Sequence, residues 1–332
     1  MHVDRFWRFV VTKWYFIGVD GGGTKTETVL CDITGNVLFH HLLPTPTNPN
    51  DVGISHAVAR LAWEIQLAKE SVGREEGAVF SVFCGISGAL NHRDALLQGL
   101  CQNFPQDRIT VDSDAANLLL SEVPVGDGCC LICGTGSVCF LKKRGEYFRI
   151  GGWGYLLDDS GSGYAMGREA LEAVLRSYDG RGDATLLRTA VLEKMGKNPW
   201  ENLSEIYEKG KAYIASFAPL VFDCEAAGDR ISFEIISRQA RYLAELLQAA
   251  FDRMEDSETG LTAVLGGSLF QKTDVLFEQM KREITSIPIL LKRAEMPPVF
   301  GALCGAYGAA LGEEWLADGY SSFRTTFRTY FS

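Results

Sequence analysis

No stretch of this 332-residue sequence is both apolar and long enough to cross a membrane. Its longest apolar runs, such as "AVFSVFCGISGAL" at 78–90, stop well short of the roughly 18 residues a span needs. A basic cluster is lacking too. Against 42 acidic residues stand 32 basic ones, for a net charge of −10, which argues against a nucleic-acid surface. The nine cysteines form an odd set without framework spacing, so reduced thiols and a cytoplasmic location are expected. The amino-terminal "MHVDRFWRFVVTKW" carries charges within its apolar part and shows no small-residue cleavage site; it reads as a short extension. Linkers and low-complexity segments are lacking as well. What remains is 46% hydrophobic and 22% charged, enough apolar material for a sizeable core and a length comfortable for two domains.

Strand and helix signals alternate along the chain. Segments 14–20, 26–32 and 36–43 are β-rich and are separated by "GGGTK" and "TG" turns. Residues 51–72 place Ile54, Val58, Leu61, Ile65 and Ala68 at helical spacing. A buried-type strand at 78–86, a helix at 92–104 and a strand at 108–111 lead to "DSDAAN". Then the pattern restarts. An apolar strand at 128–133, the turn "GTGS" and a return strand at 138–142 are followed by long helices, including 165–176 and 231–254. A strand at 261–265 ends in "GGS"; a short strand at 287–291 and a helix from 298 to 318 follow. Two halves that each open strand, Gly-Thr turn, strand suggest a duplicated α/β unit whose loops face a shared cleft.

The turn "DGGGTKT" is longer than a hairpin requires. Glycine brings backbone N–H groups close to phosphate oxygens without a Cβ in the way. Gly22, Gly23 and Thr24 are therefore candidates to bind phosphate, with Lys25 as added charge and Asp20 as a ligand for Mg²⁺, directly or through water. The glycine spacing matches neither a P-loop nor a dinucleotide fingerprint, and a plain Gly-rich hairpin is the competing account. A second turn of the same chemistry, Gly134, Thr135, Gly136 and Ser137, favours a polyphosphate clamped from two sides. Gly266, Gly267 and Ser268, after a buried strand, offer bare backbone to a base or ribose. In "VDSDAAN" the carboxylate of Asp114 follows a strand near these turns, which suits a general base for a substrate hydroxyl; a simple helix N-cap is the alternative. Asp112, which alternation points the other way, is the rival carboxylate. Cys130 and Cys133 of "CCLIC" sit in one strand-like run, where odd spacing sends them to opposite faces. They read as buried structural thiols.

Asp-Gly-Gly-Gly-Thr, Gly-Thr-Gly-Ser and Gly-Gly-Ser resemble the two phosphate motifs and the adenosine motif of the actin, hexokinase and heat-shock ATPase superfamily. More narrowly, "TNPN", "GISGA", "DSDAAN", "ICGTGS" and "GGWGYLLDDSGSGY" resemble the N-acetylglucosamine kinase and BadF/BadG-type ATPase family, from about Tyr15 to Leu311. The resemblance implies Asp114 as the catalytic aspartate. It implies Asn48, Ser87, Gly88, Gly152, Trp153 and Asp159 as sugar-binding residues beside Asp114, although Trp153 equally fits a core and Asn48 a turn. One departure stands out. Where relatives often read Gly-Asp-Glu-Gly-Ser, this chain has Asp158-Asp159-Ser160-Gly161-Ser162, which changes charge beside the sugar site.

The expectation is two ribonuclease-H-like α/β domains with mixed central sheets. Residues 1–114 with about 312–332 would form the first, and 115–311 the second, carrying most of the nucleotide site. Gly301, Gly305 and Gly308 would permit close helix contact and a hinge. The expected activity is ATP-dependent phosphorylation of an amino sugar, N-acetylglucosamine or else glucosamine or N-acetylmuramic acid, with ATP and Mg²⁺ as cofactors. Neither nucleic acid nor membrane is an expected partner, and a homodimer is compatible with the reading. The alternatives are an ATPase subunit driving electron transfer in a reductase and a sugar-sensing protein on a kinase fold.

Overall fold

A computed structural model describes residues 13–73, 77–254, 260–272 and 274–331, without the side chain of Lys272. All but the end of the amino-terminal extension lies outside the described residues. Two units divide the chain. The first comprises residues 1–126 and 294–332, and the second is the continuous segment 127–293.

The first unit is built on β1 (Trp14–Gly21), β2 (Thr26–Asp32), β3 (Val37–Leu43), β4 (Val79–Ile86) and β5 (Arg108–Asp112). Their order is β3-β2-β1-β4-β5. β2 and β3 run antiparallel to their neighbours, whereas β1, β4 and β5 are parallel. Side chains of β1 alternate as a strand requires. Tyr15, Ile17 and Val19 enter a core with Leu61, Ile65, Leu96 and Leu100 from the Ile54–Ser71 and Arg93–Asn103 helices. Phe16, on the opposite face, stacks on Tyr307 of the Pro298–Leu311 helix at 3.7 Å between ring centroids.

That helix corrects the expected domain boundary. The sequence reading assigned residues 115–311 to the second domain, but the Asp114–Leu120 and Pro298–Leu311 helices belong to the first unit. The reason is packing. A Cβ at Gly301 would lie 1.7 Å from the Asn117 carbonyl oxygen, and one at Gly305 would lie 2.5 Å from the Phe83 ring. These glycines therefore serve contact within one unit, and Ser81 Oγ donates to the Ala306 carbonyl at 2.7 Å.

The second unit repeats the plan. β6 (Gly128–Cys133), β7 (Ser137–Lys143), β8 (Glu146–Ile150), β9 (Leu261–Gly266) and β10 (Ile289–Arg293) are ordered β10-β9-β6-β7-β8. β7 is antiparallel to β6 and β8, while β6, β9 and β10 are parallel. Cys129, Leu131 and Cys133 face a core shared with Met166, Ala170 and Leu243 from the Gly163–Tyr178 and Arg230–Asp252 helices. Cys130 is buried but stands outside that core, so Cys130 and Cys133 point to opposite faces, as their spacing dictates. No helix among the described residues is long and apolar enough to cross a membrane.

Glycine cuts two helices that periodicity alone joins. The expected 51–72 helix becomes Pro49–Val52 and Ile54–Ser71 around Gly53 at φ 80°. The expected 298–318 helix becomes Pro298–Leu311 and Glu313–Phe331 around Gly312 at φ 94°. Both glycines occupy a backbone region that side chains disfavour.

Candidate active site

In the first unit, loops converge at the carboxyl ends of β1, β4 and β5. The β1–β2 turn closes with Gly22 N–H donating to the Lys25 carbonyl at 2.9 Å. Thr47 N–H reaches the Gly22 carbonyl at 3.1 Å, and Ser87 N–H reaches the Gly21 carbonyl at 2.7 Å. These two bonds seat the loops after β3 and β4 against the turn. Asn48 caps the Pro49–Val52 helix, its Oδ1 accepting from Asn50 N–H at 3.0 Å. Gly88 lies so close that a Cβ there would stand 2.3 Å from Asn48 Oδ1. Asp114 opens the helix after β5 and is partly buried. Burial raises its carboxyl above the ordinary range, while a hydrogen bond with the Ser87 side chain opposes the rise. The structure thus brings Asp20, Asn48, Ser87, Gly88 and Asp114 into one neighbourhood. Gly23, Thr24 and Lys25 are exposed at the turn's tip.

The residue that organises this neighbourhood is Asn117, which was not among the sequence candidates. It is fully buried. Its Nδ2 donates to Asp20 Oδ1 at 2.7 Å and to the Gly85 carbonyl at 3.0 Å. Asp20 is pushed up to about 6, mainly by burial; the Asn117 bond lowers it and the nearby Asp114 charge adds to the rise. Asn117 was visible inside "DSDAAN", one helical turn beyond Asp114. Its partners were not, because they lie on β1 and β4. Asp112, the rival carboxylate, accepts from Ser113 N–H at 2.7 Å and lies 3.9 Å from the Arg93 guanidinium. It is committed to structure.

The second unit carries the other turn. Gly134 N–H donates to the Gly136 carbonyl at 2.9 Å, and the Gly163–Tyr178 helix docks onto the turn. Gly163 N–H binds the Gly134 carbonyl at 2.8 Å and Tyr164 N–H binds the Thr135 carbonyl at 3.1 Å. Gly267, at φ 97°, packs so tightly on β6 that a Cβ would meet the Cys133 carbonyl oxygen at 2.2 Å. Gly266 and Ser268 flank it, so the Gly-Gly-Ser element adjoins the strand that leads into the turn. Gly152, at φ 69°, abuts the Ser137 carbonyl. Trp153 is 61% exposed, with the Arg149 guanidinium 4.9 Å from its ring centroid. That exposure removes the core-tryptophan alternative.

Asp159 has partners that the sequence did not disclose. Its Oδ1 accepts from Ser137 N–H at 2.8 Å, and its Oδ2 lies 2.7 Å from Lys211 Nζ. Asp158 turns elsewhere; its Oδ2 stands 3.4 Å from where a Cβ on Gly151 would sit. The adjacent carboxylates therefore serve different surroundings. Lys211 gave no sequence signal, since it follows Gly210, a break at φ 64° inside the Leu203–Ala215 helix.

A duplicated sheet with a Gly-Thr turn after the first strand of each copy is the scaffold on which the comparisons bear. The model of the BadF/BadG/BcrA/BcrD ATPase family matches residues 17–311. The chain belongs to that family. Among curated relatives, an N-acetyl-D-glucosamine kinase from Dictyostelium discoideum is 32% identical over 292 residues, covering 82% of this chain and 91% of its own. An N-acetylmuramic acid/N-acetylglucosamine kinase from Clostridium acetobutylicum is 29% identical over 277 residues, covering 81% and 89%. In fold, this BadF/BadG/BcrA/BcrD member is similar to a ROK hexokinase from Thermus thermophilus. That match has TM-score 0.55 and 18% identity, and covers 90% of this chain and 99% of the other.

Proposed function

We propose that the protein is an ATP-dependent kinase that phosphorylates an amino sugar, N-acetylglucosamine foremost, with glucosamine and N-acetylmuramic acid as close alternatives. The observation that carries this reading is Asp114. It is a partly buried carboxylate tied to Ser87 beside Asn48 and Gly88, in a family whose curated relatives are amino-sugar kinases.

A sugar hydroxyl beside Asp114 gives up its proton to the carboxylate as its oxygen attacks the γ-phosphorus. The bond from that phosphorus to the bridging oxygen breaks, and ADP departs. Burial keeps Asp114 more basic than an ordinary aspartate, which suits a base that must take a proton from an alcohol. The N–H groups of Gly22, Gly134 and Ser137 are spent on Lys25, Gly136 and Asp159. Those of Gly23 and Thr24 in the first unit, and of Thr135 and Gly136 in the second, are therefore the ones suited to offset phosphate charge, and Gly266–Ser268 accept the nucleoside. In the first unit Asn48 offers an amide suited to a sugar, and in the second Gly152 and Trp153 offer bare backbone and an aromatic face. Asp20 is an oxygen donor of the kind Mg²⁺ prefers, and this ion is held by one or two carboxylates with waters and phosphates. Bound there, Mg²⁺ would supply charge neutralisation.

The reductase-subunit alternative is disfavoured because Cys130 and Cys133 diverge across a strand. The sensor alternative is disfavoured because Asp20, Asp114 and both Gly-Thr turns are intact. For the sugar, Asp158 turned toward Gly151 leaves the acetamido sugar favoured over the free amine. A coupled ADP-release screen across amino sugars, with products mapped by NMR, tests the whole reading. Turnover with N-acetylglucosamine above glucosamine is expected. ADP release that no sugar stimulates would overturn it.

A further inference from the structure

The second turn has an unusual electrostatic neighbour. Asp159 is buried, with a side chain only 4% exposed, yet its Oδ1 takes the Ser137 N–H that a nucleotide phosphate would otherwise use. A Cβ on Gly136 would stand 3.0 Å from that carboxylate oxygen. An uncompensated carboxylate so close to the turn would repel a polyphosphate bound there. Lys211 answers it. Its Nζ lies 2.7 Å from Asp159 Oδ2 and 3.3 Å from the same point above Gly136, and the lysine is one-third exposed. The ammonium is therefore both the counter-ion of Asp159 and the cation that adjoins the turn.

The position of Lys211 is built into the fold. The break at Gly210, with φ 64° and ψ −155°, redirects the chain within the Leu203–Ala215 helix. The segment after it is clamped, since a Cβ on Gly167 would stand 1.9 Å from the Ile214 carbonyl oxygen. Gly167 belongs to the same Gly163–Tyr178 helix that docks on Gly134 and Thr135. Turn, helix and Lys211 segment thus form one packed piece. The neighbouring Lys209 is engaged elsewhere, with Glu205 at 2.5 Å.

We infer that Lys211 is a positioning residue for the nucleotide: it neutralises Asp159 beneath the Gly134–Ser137 turn and so lets the turn accept polyphosphate. This rests on the reading of that turn as a nucleotide site. It makes Asp159 a support of the turn, whatever it also offers to sugar.

The test is calorimetric titration of the full chain with the magnesium complex of a non-hydrolysable ATP analogue, paired with sugar KM. Lys211→Met should weaken nucleotide binding by on the order of 10- to 100-fold, the loss expected when a buried carboxylate loses its counter-ion beside an anion. Lys211→Arg should bind nearly as wild type. Asp159→Asn combined with Lys211→Met should recover most of the loss, because the offending charge is gone while an oxygen still accepts from Ser137. Sugar KM at saturating ATP should move less than the nucleotide affinity. Unchanged nucleotide affinity in Lys211→Met would overturn the inference, as would a double variant no better than Lys211→Met, or a loss confined to sugar KM. A wild-type chain that binds sugar but no nucleotide would instead remove the underlying reading of the turn.

Discussion

Replacing Gly85 with alanine tests the assembly of the first unit's site. A Cβ there would lie 1.9 Å from Asn117 Oδ1, 2.3 Å from its Cγ and 2.4 Å from its Nδ2. The Asn117 amide cannot retreat, since it is fully buried among β1, β4 and its own helix. It must rotate away, losing its bonds to Asp20 Oδ1 and to the Gly85 carbonyl. Overpacking of a core costs about 1–3 kcal/mol, and a lost hydrogen bond to a charged group about 1.5–3 kcal/mol. The expected destabilisation is therefore about 3–5 kcal/mol, a drop of roughly 6–20 °C in Tm for a unit of this size. Urea and thermal denaturation measure it. Asn117→Ala alone should cost about 2–4 kcal/mol from the same bonds and the space left behind. The decisive measurement is the double variant: with the amide gone, the alanine at 85 has room, and its additional cost should fall below about 1 kcal/mol. A full cost in the Asn117→Ala background would refute the reasoning, because it would mean that Asn117 is not what Gly85 makes way for.

Asp114→Asn should lower kcat by roughly 10² to 10⁴ while sugar affinity stays within a few-fold, as expected when the shape persists but the proton acceptor is lost. Ser87→Ala should move the acid limb of the kcat profile to higher pH, because the Ser87 hydrogen bond lowers the raised Asp114 pKa and its removal leaves burial unopposed; an unmoved limb refutes this. Asp20→Asn should raise stability at pH 7 while abolishing turnover. The native carboxyl is raised from 3.8 to about 6, so the unfolded chain ionises first and wild-type stability falls as pH rises between those values, by up to about 3 kcal/mol. Below pH 4 the two proteins should melt alike. Gly267→Ala should weaken nucleotide binding more than sugar binding, measured by titration with each ligand, since its Cβ would push on the Cys133 carbonyl at the head of the second turn.

The duplicated plan was legible because both copies announce themselves with the same local chemistry. An apolar strand stops at glycine and threonine, and a second strand begins. Asp114 stood out in the sequence because a carboxylate at a strand's end falls near the Gly-rich turns, although the same position also suits a helix N-cap. Other features depend on partners distant in sequence. Asn117 matters through Val19, Asp20 and Gly85, and Lys211 through Asp159, and no spacing rule connects these. β8 was missed because "EYFRI" is a short edge strand with mixed polarity. The Pro298–Leu311 helix was placed in the wrong unit because nine of its residues are buried, nearly all round. Such a helix declares that it is covered but not by what. Its glycines were read as allowing close helix contact and a hinge; the contact is there, since Gly301 is shaped to Asn117 and Gly305 to Phe83, but it lies within one unit.

The interrupted first unit also imposes an order of events during synthesis. Residues 127–293 form an uninterrupted segment with its own sheet and its own core, and they emerge from the ribosome before residues 294–332 do. Until then the face of β1 that presents Phe16 lacks Tyr307, and Ser81 lacks its acceptor at Ala306. The nascent chain must therefore carry a first sheet with one face uncovered while the middle of the protein completes itself. Domains generally fold as units in the order they are made, but here the unit begun first is finished last. Mutations along the Pro298–Leu311 helix should accordingly be felt in newly made chains, as exposed apolar surface and chaperone dependence, more strongly than equal losses of stability within 127–293.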